Sequence, residues 1–244
     1  MVARPQPAEA PLAGTLRITA AWGVHLFTAS GAVVAFLAWR AIAAGRFGDA
    51  FRWLAVAMFI DCVDGTFARA VEVKRVLPWF DGTKLDDIID YLTYVFLPVV
   101  LLHEAHLLPD GDRGLLCAAA ILLASAYGFC RTDAKTADHY FRGFPSYWNV
   151  FAFYAFALRL SSQATAIWIL AFAALVFAPL KFLYPSRAPH FRRLSLGLGA
   201  AWGAVTIPAV WMTPDAPAAL VWASLLYPAY YGGISLWLQA TGRT

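Results

Sequence analysis

Two apolar segments of this sequence each carry a pair of aspartates at helical spacing. Asp61 and Asp64 are three residues apart, and Asp86 and Asp90 are four apart, so each pair occupies one face of a helix. A carboxylate within a membrane-spanning helix costs about 2.5 to 3.5 kcal/mol, and four without partners would cost on the order of 10 kcal/mol. They must therefore be neutralised by cations, hydrated, or both. Hard oxygen ligands in this arrangement suit Mg²⁺, Mn²⁺ or Ca²⁺, and two such ions could share four carboxylates.

Small residues and one arginine continue the same helix faces. Counted from the first aspartate, Gly65, Ala68 and Arg69 lie at offsets four, seven and eight, and Gly82 lies four residues before the third aspartate. Side chains this small allow a flat base or a phosphate group to approach the helix backbone closely. The alternatives are an ordinary solvated helix-loop-helix or a pair of helix ends held together by salt bridges. The nearby basic residues are too few, and mostly too far along the chain, to pair with every acid.

This set of side chains favours phosphoryl transfer. The sequence shows neither a Ser/His/Asp triad nor a Gly-rich phosphate loop. Divalent ions can bridge a diphosphate and stabilise a leaving phosphate, while one carboxylate takes the proton from an incoming alcohol. A cation transporter that uses intramembrane acids as an ion path is the alternative from another class of protein. It would distribute its acids along several spans, whereas here they concentrate at two helix ends.

The composition predicts an all-α integral membrane protein. Hydrophobic residues make up 61% of the chain and charged residues 14%, whereas soluble proteins have about 45 to 50% and about 25%. Apolar runs of about twenty residues, separated by Pro and Gly, predict about eight transmembrane helices. These are residues 18–39, 50–69, 84–107, 114–131, 146–160, 163–183, 194–212 and 217–238. We expect a single transmembrane catalytic domain over residues 15–244, preceded by a disordered tail over residues 1–14.

The distribution of positive charge orients these helices. Eight spans place both termini on one side, where fourteen of the 19 Lys and Arg residues fall, against five on the other side. This asymmetry predicts that both termini, and the loop between the two aspartate pairs, face the cytoplasm. The net charge of +4 is modest, and we expect no nucleic-acid partner. Gly199 and Gly203 form a Gly-x-x-x-Gly pattern, which favours a helix contact within the chain or, as the alternative, between two chains of a homodimer.

A segment between predicted spans mixes cations with aromatic residues. Arg131 and Lys135 could bind a lipid phosphate, and Phe144, Tyr147 and Trp148 could bind a cationic ligand. A quaternary ammonium is attracted to aromatic faces by about 0.5 to 2 kcal/mol per contact. The alternative is an aromatic belt at the membrane interface, with the cytoplasmic excess of positive charge beside it.

The two aspartate pairs resemble the signature of the CDP-alcohol phosphotransferase family. That signature is Asp-x-x-Asp-Gly-x-x-Ala-Arg, a spacer, and then Gly-x-x-x-Asp-x-x-x-Asp. This chain has all eight identities, with a spacer of twelve residues, and the signature covers 30 of its 244 residues. The resemblance implies a CDP-linked donor, CMP as leaving group, and a six-helix core to which this chain adds further helices. It also implies a site at the cytoplasmic edge of the bilayer.

The resemblance further implies roles for individual residues. It makes Asp61, Asp64, Asp86 and Asp90 the ligands of two Mn²⁺ or Mg²⁺ ions, with Asp90 also the base. It assigns the nucleotide and diphosphate pocket to the four residues Gly65, Ala68, Arg69 and Gly82.

Similarity outside the signature narrows the range of substrates that the resemblance implies. Residues 21–31, 86–91 and 144–149 are similar to the bacterial branch of the family that uses choline. This implies CDP-diacylglycerol and choline as substrates, and a multi-pass protein of the bacterial inner membrane. Serine, inositol or glycerol 3-phosphate stays open as the alternative alcohol, because the whole family shares the signature.

Overall fold

The computed structural model describes residues 11–134, 136, 138, 140–185 and 190–242, and most of them are helical. A long helical hairpin comes first, with helices α1 (Pro11–Ala43) and α2 (Phe47–Ala70) packed along each other. The short helix α3 (Val73–Val76) follows. Next come α4 (Gly82–Asp90), a π-helical segment (Tyr91–Phe96) and α5 (Leu97–Glu104), which continue one another without a break. Residues 11–14 of the expected N-terminal tail lie in α1, and residues 1–10 are outside the described residues.

The second half of the chain adds six helices and two short strands. The helices are α6 (Asp112–Cys130), α7 (Trp148–Ala157), α8 (Ser162–Phe177), α9 (Arg192–Trp211), α10 (Ala218–Ser224) and α11 (Leu226–Ala240). Strand β1 (Tyr140–Arg142) pairs antiparallel with β2 (Lys181–Leu183). Helix α6 packs on α8, α5 on α7, and α9 on α2, α10 and α11. One core of apolar side chains runs through α1, α2, α5, α6, α7 and α8 and reaches α9 and α10.

Capping side chains explain where two of the helices begin. The Asp81 carboxylate accepts hydrogen bonds from the backbone N–H groups of Thr83 and Lys84, both at 3.2 Å, so α4 starts at Gly82. The Ser161 hydroxyl oxygen accepts from the Ala164 N–H at 3.2 Å at the start of α8. The Asp81 cap thus fixes the first residue of α4, the helix that carries the second aspartate pair.

The outer surface of the helices is apolar, as expected in lipid. Leu26, Phe59 and Leu123 are 72%, 65% and 71% exposed, on three different helices. Three of the described helical stretches are long and apolar enough to cross a membrane, namely Gly14–Ala43, Asp112–Cys130 and Arg192–Trp211, and α7 and α8 are shorter apolar helices. The prediction of an α-helical membrane protein is confirmed, whereas the number of eight spans stays a prediction.

Two of the predicted spans differ from the observed elements. The predicted span over residues 163–183 is wrong at its end, because α8 stops at Phe177 and Lys181–Leu183 form β2. The span over residues 217–238 is divided between α10 and α11. The strand pair also departs from a purely helical fold. Hydropathy did not reveal it, because residues of a three-residue strand have no periodicity of their own.

The Gly-x-x-x-Gly pattern contributes one contact inside the chain. A Cβ atom on Gly199 would lie 3.2 Å from the Tyr227 hydroxyl of α11, whereas nothing lies within 4 Å of one on Gly203. The first glycine therefore serves packing between α9 and α11, which was the favoured prediction.

Helix α1 approaches α4 closely at Gly31. A Cβ atom on Gly31 would lie only 2.6 Å from Cγ2 of Ile89, a buried residue of α4. Isoleucine is branched at Cβ and has few rotamers in a helix, so it cannot easily move aside. The absence of a side chain at Gly31 thus sets the distance between the two helices.

We expect Gly31→Ala to destabilise the protein by about 1 to 3 kcal/mol, because the added methyl group overpacks this contact. The matched control is Gly23→Ala in the same helix, where nothing lies within 4 Å of the added carbon. That substitution should be neutral or stabilising by about 0.5 to 1 kcal/mol. Thermal unfolding in detergent measures both, and equal midpoints for the two variants would contradict the contact.

Candidate active site

Three carboxylates from two helices converge on one point. Asp61 of α2 and Asp86 and Asp90 of α4 each place an oxygen within 4.8 Å of the others, and all three residues are partly buried. Three like charges this close repel one another strongly in an apolar surrounding. Clustered carboxylate oxygens are ligands that Mg²⁺ and Mn²⁺ prefer, so the donor set fits a divalent cation. The site could therefore hold a metal ion.

Helix α1 brings the two aspartate-bearing helices together. It packs against both α2 and α4, and the close contact at Gly31 lets α4 lie near it. The signature residues occupy α2 and α4 alone, so α1 supplies the surface on which the two halves of the site assemble.

A tyrosine hydroxyl orients the carboxylate on α2. The Tyr94 hydroxyl donates a hydrogen bond of 2.7 Å to Oδ2 of Asp61, and Tyr94 is buried. Tyr94 lies in the π-helical segment that directly follows Asp90. The wider turn of a π segment changes which face its residues occupy, and such segments are frequent at functional sites. Partners that hydrogen-bond to ligating carboxylates fix their orientation.

The fourth predicted metal ligand has a different environment. Asp64 is buried, and its Oδ2 accepts a hydrogen bond of 2.8 Å from the Thr28 hydroxyl of α1. Within the described part of the chain, the group of three converging carboxylates does not include Asp64. The structure thus brings together three of the four predicted ligands, and Asp64 links α2 to α1.

The residues predicted to line the nucleotide pocket lie next to the carboxylates in sequence but differ in surroundings. Gly65 and Ala68 are partly buried, and the exposed Arg69 donates from Nη2 to the Thr66 hydroxyl at 3.0 Å. The space beside Gly82 is already occupied by the His25 ring, since a Cβ there would lie 2.6 Å from its Cε1. A glycine at position 82 is therefore required by packing against α1, a reason that the sequence did not reveal.

Of the two cations predicted to bind lipid phosphate, Arg131 pairs with an acid of its own segment. Arg131 makes two hydrogen bonds to the Asp133 carboxylate, at 2.8 and 2.9 Å, and Arg142 makes a third at 2.7 Å. These bonds, with that of Arg131 foremost, lower the pKa of the Asp133 carboxyl to about 2. Lys135 is outside the described residues. The Arg131 guanidinium is therefore already paired with Asp133, a carboxylate of the same chain.

The three aromatic residues predicted to bind a cation divide into two kinds. Trp148 is fully buried, and its indole N–H donates to the Ser125 hydroxyl at 2.8 Å. Phe144 stacks on Phe172 with ring centroids 4.8 Å apart. Tyr147 is partly buried, like Phe144, but its ring contacts Tyr94, the partner of Asp61, with ring centroids 6.3 Å apart.

Sequence reasoning missed Thr28 and Tyr94, the two side chains that hold the aspartates of α2. The sequence did contain a signal for the tyrosine, because Tyr94 continues the four-residue spacing of Gly82, Asp86 and Asp90. No comparable spacing connects Thr28 with Asp64, because they lie on different helices 36 residues apart.

The fold and the site together define an α-helical membrane protein with a partly buried group of carboxylates that could hold a divalent cation. No model of a known protein family matches the chain. Individual relatives do match. The chain is 40% identical to the phosphatidylcholine synthase of Pseudomonas aeruginosa over 222 residues, 90% of this chain and 92% of that protein. It is 38% identical to that of Rhizobium johnstonii over 207 residues, 85% of this chain and 84% of that protein.

A shorter match, to the phosphatidylcholine synthase of Legionella pneumophila, is 45% identical over 172 residues, 70% of this chain and 67% of that protein. Identity at this level over most of both chains shows common descent. The chain belongs to the phosphatidylcholine synthase family.

Removing the Tyr94 hydroxyl should weaken metal binding while leaving the ring in place. For Tyr94→Phe we expect a rise of about 10- to 100-fold in the Mn²⁺ concentration at half-saturation, because Asp61 loses the group that orients it. The matched control is Tyr91→Phe in the same π segment, whose hydroxyl donates to the Leu122 carbonyl at 3.0 Å. Calorimetric titration of both purified variants with Mn²⁺ measures their metal affinity. An equal affinity in the two variants would contradict the role of Tyr94.

Proposed function

We propose that this chain transfers the phosphatidyl group of CDP-diacylglycerol to choline, which yields phosphatidylcholine and CMP. The observation that carries the proposal is the convergence of three carboxylates within 4.8 Å in an otherwise apolar helical protein. The relatives named phosphatidylcholine synthase support choline over serine, inositol or glycerol 3-phosphate. They also count against a cation transporter, since they are named as enzymes.

The carboxylates would hold the catalytic metal. Asp61, Asp86 and Asp90 offer converging oxygens, and Mn²⁺ and Mg²⁺ both suit such ligands. When bound, the metal supplies charge neutralisation for the diphosphate of the donor and for the leaving phosphate of CMP. A second ion, as the sequence predicts, would also require Asp64, one oxygen of which is engaged by Thr28.

The other residues of the signature would bind the donor. Gly65 lies beside the flexible Arg69 side chain, which is exposed at the same end of α2 and could move to admit a nucleotide, whereas Ala68 packs against the cluster of α1 and α3 that includes Ala21 and Val73. A guanidinium in this position pairs well with a phosphate oxygen. Gly82 would contribute indirectly, by allowing α4 to pack against His25.

Asp90 would act as the general base. A carboxylate at the junction of α4 and the π segment can accept the proton of the choline hydroxyl as its oxygen bonds to phosphorus. The carboxylate has two oxygens, so one can face a metal while the other accepts the proton. As the bond to choline forms, the bond between phosphorus and the CMP oxygen breaks, and CMP leaves.

The proposed orientation places both termini and this site toward the cytoplasm of a bacterial inner membrane. The excess of Lys and Arg on one side of the predicted spans supports it. CDP-diacylglycerol can then enter laterally from the bilayer, while choline enters and CMP leaves through the aqueous side.

A reaction with purified protein tests the function directly. Detergent-solubilised enzyme with CDP-diacylglycerol, Mn²⁺ and labelled choline should form labelled lipid and equimolar CMP. A parallel panel with serine, inositol and glycerol 3-phosphate compares the alternative alcohols. Absence of CMP with every divalent metal and every alcohol, or choline flux into proteoliposomes without nucleotide, would refute the proposal.

Replacing Asp90, the proposed base, should slow the transfer to choline without preventing CDP-diacylglycerol from binding. For Asp90→Asn we expect choline transfer to fall by about 100-fold or more, while CDP-diacylglycerol binding stays close to that of the parent. Asp87→Asn is the matched control, because it removes the same charge from the same helix at a residue outside the converging group. Single-turnover CMP release measures the effect, and near-parental turnover in Asp90→Asn would assign the base elsewhere.

Replacing the carboxylate on α2 should alter the metal requirement instead. Asp61→Asn loses an anionic ligand, so we expect the Mn²⁺ concentration for half-maximal activity to rise by at least about 10-fold. Activity measured across a Mn²⁺ series separates this effect from a loss of turnover. An unchanged metal requirement with reduced turnover would argue against Asp61 as a ligand.

A further inference from the structure

Four aromatic rings form a row that leads away from the carboxylate group, and we call it the tyrosine row. It consists of Tyr94, Tyr147, Tyr231 and Phe182. The centroids of Tyr94 and Tyr147 are 6.3 Å apart, those of Tyr147 and Tyr231 are 6.2 Å apart, and those of Tyr231 and Phe182 are 6.1 Å apart. The row begins at the carboxylates, because the Tyr94 hydroxyl is bonded to Asp61.

Separate parts of the chain build this row. Tyr94 comes from the π segment, Tyr147 precedes α7, Tyr231 lies in α11 and Phe182 in β2. The Leu183 N–H of β2 donates to the Ser235 hydroxyl of α11 at 3.0 Å, which holds the strand against that helix. The short β-sheet thus has a function in the fold, since it places Phe182 against Tyr231.

The backbone before Tyr147 adopts a conformation that is unusual for its residue. Ser146 is buried and has φ of 57°, in the left-handed region that non-glycine residues rarely occupy. Residues held in this region are found preferentially at ligand-binding sites, where the surrounding structure imposes the conformation. Here it directs the Tyr147 ring toward the row while the next residue, Trp148, enters the core.

The ring faces in the row are not all covered by one another. The Tyr94 and Tyr147 planes are inclined by 50°, and the Tyr147 and Tyr231 planes by 64°. At such angles an edge of one ring points toward the next, so the rings do not cover one another's faces completely. Tyr147 and Tyr231 are only partly buried.

A quaternary ammonium is the ligand that this surface suits. It carries a positive charge but no N–H group, so it binds through ring faces and oxygen lone pairs rather than conventional hydrogen bonds. Lys181 precedes Phe182 in β2, and its ammonium group donates a hydrogen bond of 2.6 Å to the Asp138 carboxylate. Because it is paired in this way, Lys181 does not place an uncompensated positive charge in the row. The electrostatic character of the row is therefore that of aromatic faces next to carboxylates.

We propose that Tyr94, Tyr147 and Tyr231 form the subsite for the quaternary ammonium of the alcohol substrate. This inference rests on the proposed function and deepens it. Only two methylene groups separate the ammonium of choline from its hydroxyl. An ammonium against Tyr94 and Tyr147 therefore leaves the hydroxyl on the side of Asp61 and Asp90. Phe144 and Trp148, predicted from the sequence, both pack on Phe172 and lie outside this subsite, although Phe144 also contacts Phe182 at the far end of the row.

Binding of tetramethylammonium tests the subsite without requiring turnover. Calorimetric titration of the full-length protein in detergent should show saturable binding of tetramethylammonium. We expect Tyr147→Leu and Tyr231→Leu each to weaken it by about 3- to 30-fold. The Phe variants at the same positions should stay within about 3-fold of the parent, because they keep the aromatic face. The neutral isostere of choline, 3,3-dimethylbutan-1-ol, should compete at least about 10-fold less well than choline.

The control variant is Tyr127→Leu, which removes a 46% exposed tyrosine that packs on Phe177 outside the row. It should leave tetramethylammonium binding unchanged. Equal weakening in this control, unchanged affinity in both row variants, or equal competition by the neutral isostere would overturn the proposal. The isostere comparison uses the parent protein, so it stays decisive even if a Leu variant does not fold.

Kinetics separate this inference from the function on which it rests. The row variants should raise KM for choline and leave KM for CDP-diacylglycerol unchanged. If the parent forms phosphatidylcholine but the Leu variants keep the parental KM for choline, the subsite is wrong and the function stands. If the parent binds tetramethylammonium as expected but releases no CMP, the function is wrong and the ammonium site stands.

Discussion

The constraint on which this structure depends is the electrostatic cost of gathering carboxylates inside an apolar helical protein. Three acidic oxygens within 4.8 Å of one another repel, and the apolar surroundings screen that repulsion poorly. Hydrogen bonds from Tyr94 and Thr28 compensate part of this cost at Asp61 and Asp64. A bound divalent cation would offset much of the remainder. The same unfavourable arrangement therefore makes the site suitable for a metal ion.

Holding the acids in place is a problem of helix packing. Helix α1 carries none of the signature residues, yet it contacts both helices that do, and its Thr28 reaches a carboxylate directly. Two glycines set the distances, one on each side of the α1–α4 contact. Gly31 admits Ile89, and Gly82 admits His25. The signature glycine on α4 is thus explained by a helix contact, which is a requirement separate from any ligand.

The carboxylate group and the proposed ammonium subsite draw on different parts of the chain. The carboxylates belong to α2 and α4, within 30 residues of sequence. The proposed ammonium subsite draws on the π segment, the residue before α7, and α11. Tyr94 belongs to both, since its hydroxyl donates to the Asp61 carboxylate and its ring starts the aromatic row.

The class of fold and the position of the acidic residues were predictable from the sequence, because both depend on local properties. Hydropathy revealed apolar helices, and the spacing of Asp86 and Asp90 placed them on one helix face, where the structure has them. Even the tyrosine of the π segment continued a visible four-residue spacing. These features need only the geometry of a single helix.

Which side chains meet depends on the packing of distant segments. Asp64 shares a helix with Asp61, yet packing against α1 pairs it with Thr28 instead of the three converging carboxylates. Phe144, Tyr147 and Trp148 are neighbours in sequence, but Phe144 and Trp148 pack toward α6 and α8, whereas Tyr147, after the left-handed backbone at Ser146, contacts Tyr94 and Tyr231. The pairing of β1 with β2 joins residues about 40 positions apart. Contacts between distant segments carry no periodic signal, and for that physical reason only the folded molecule shows them.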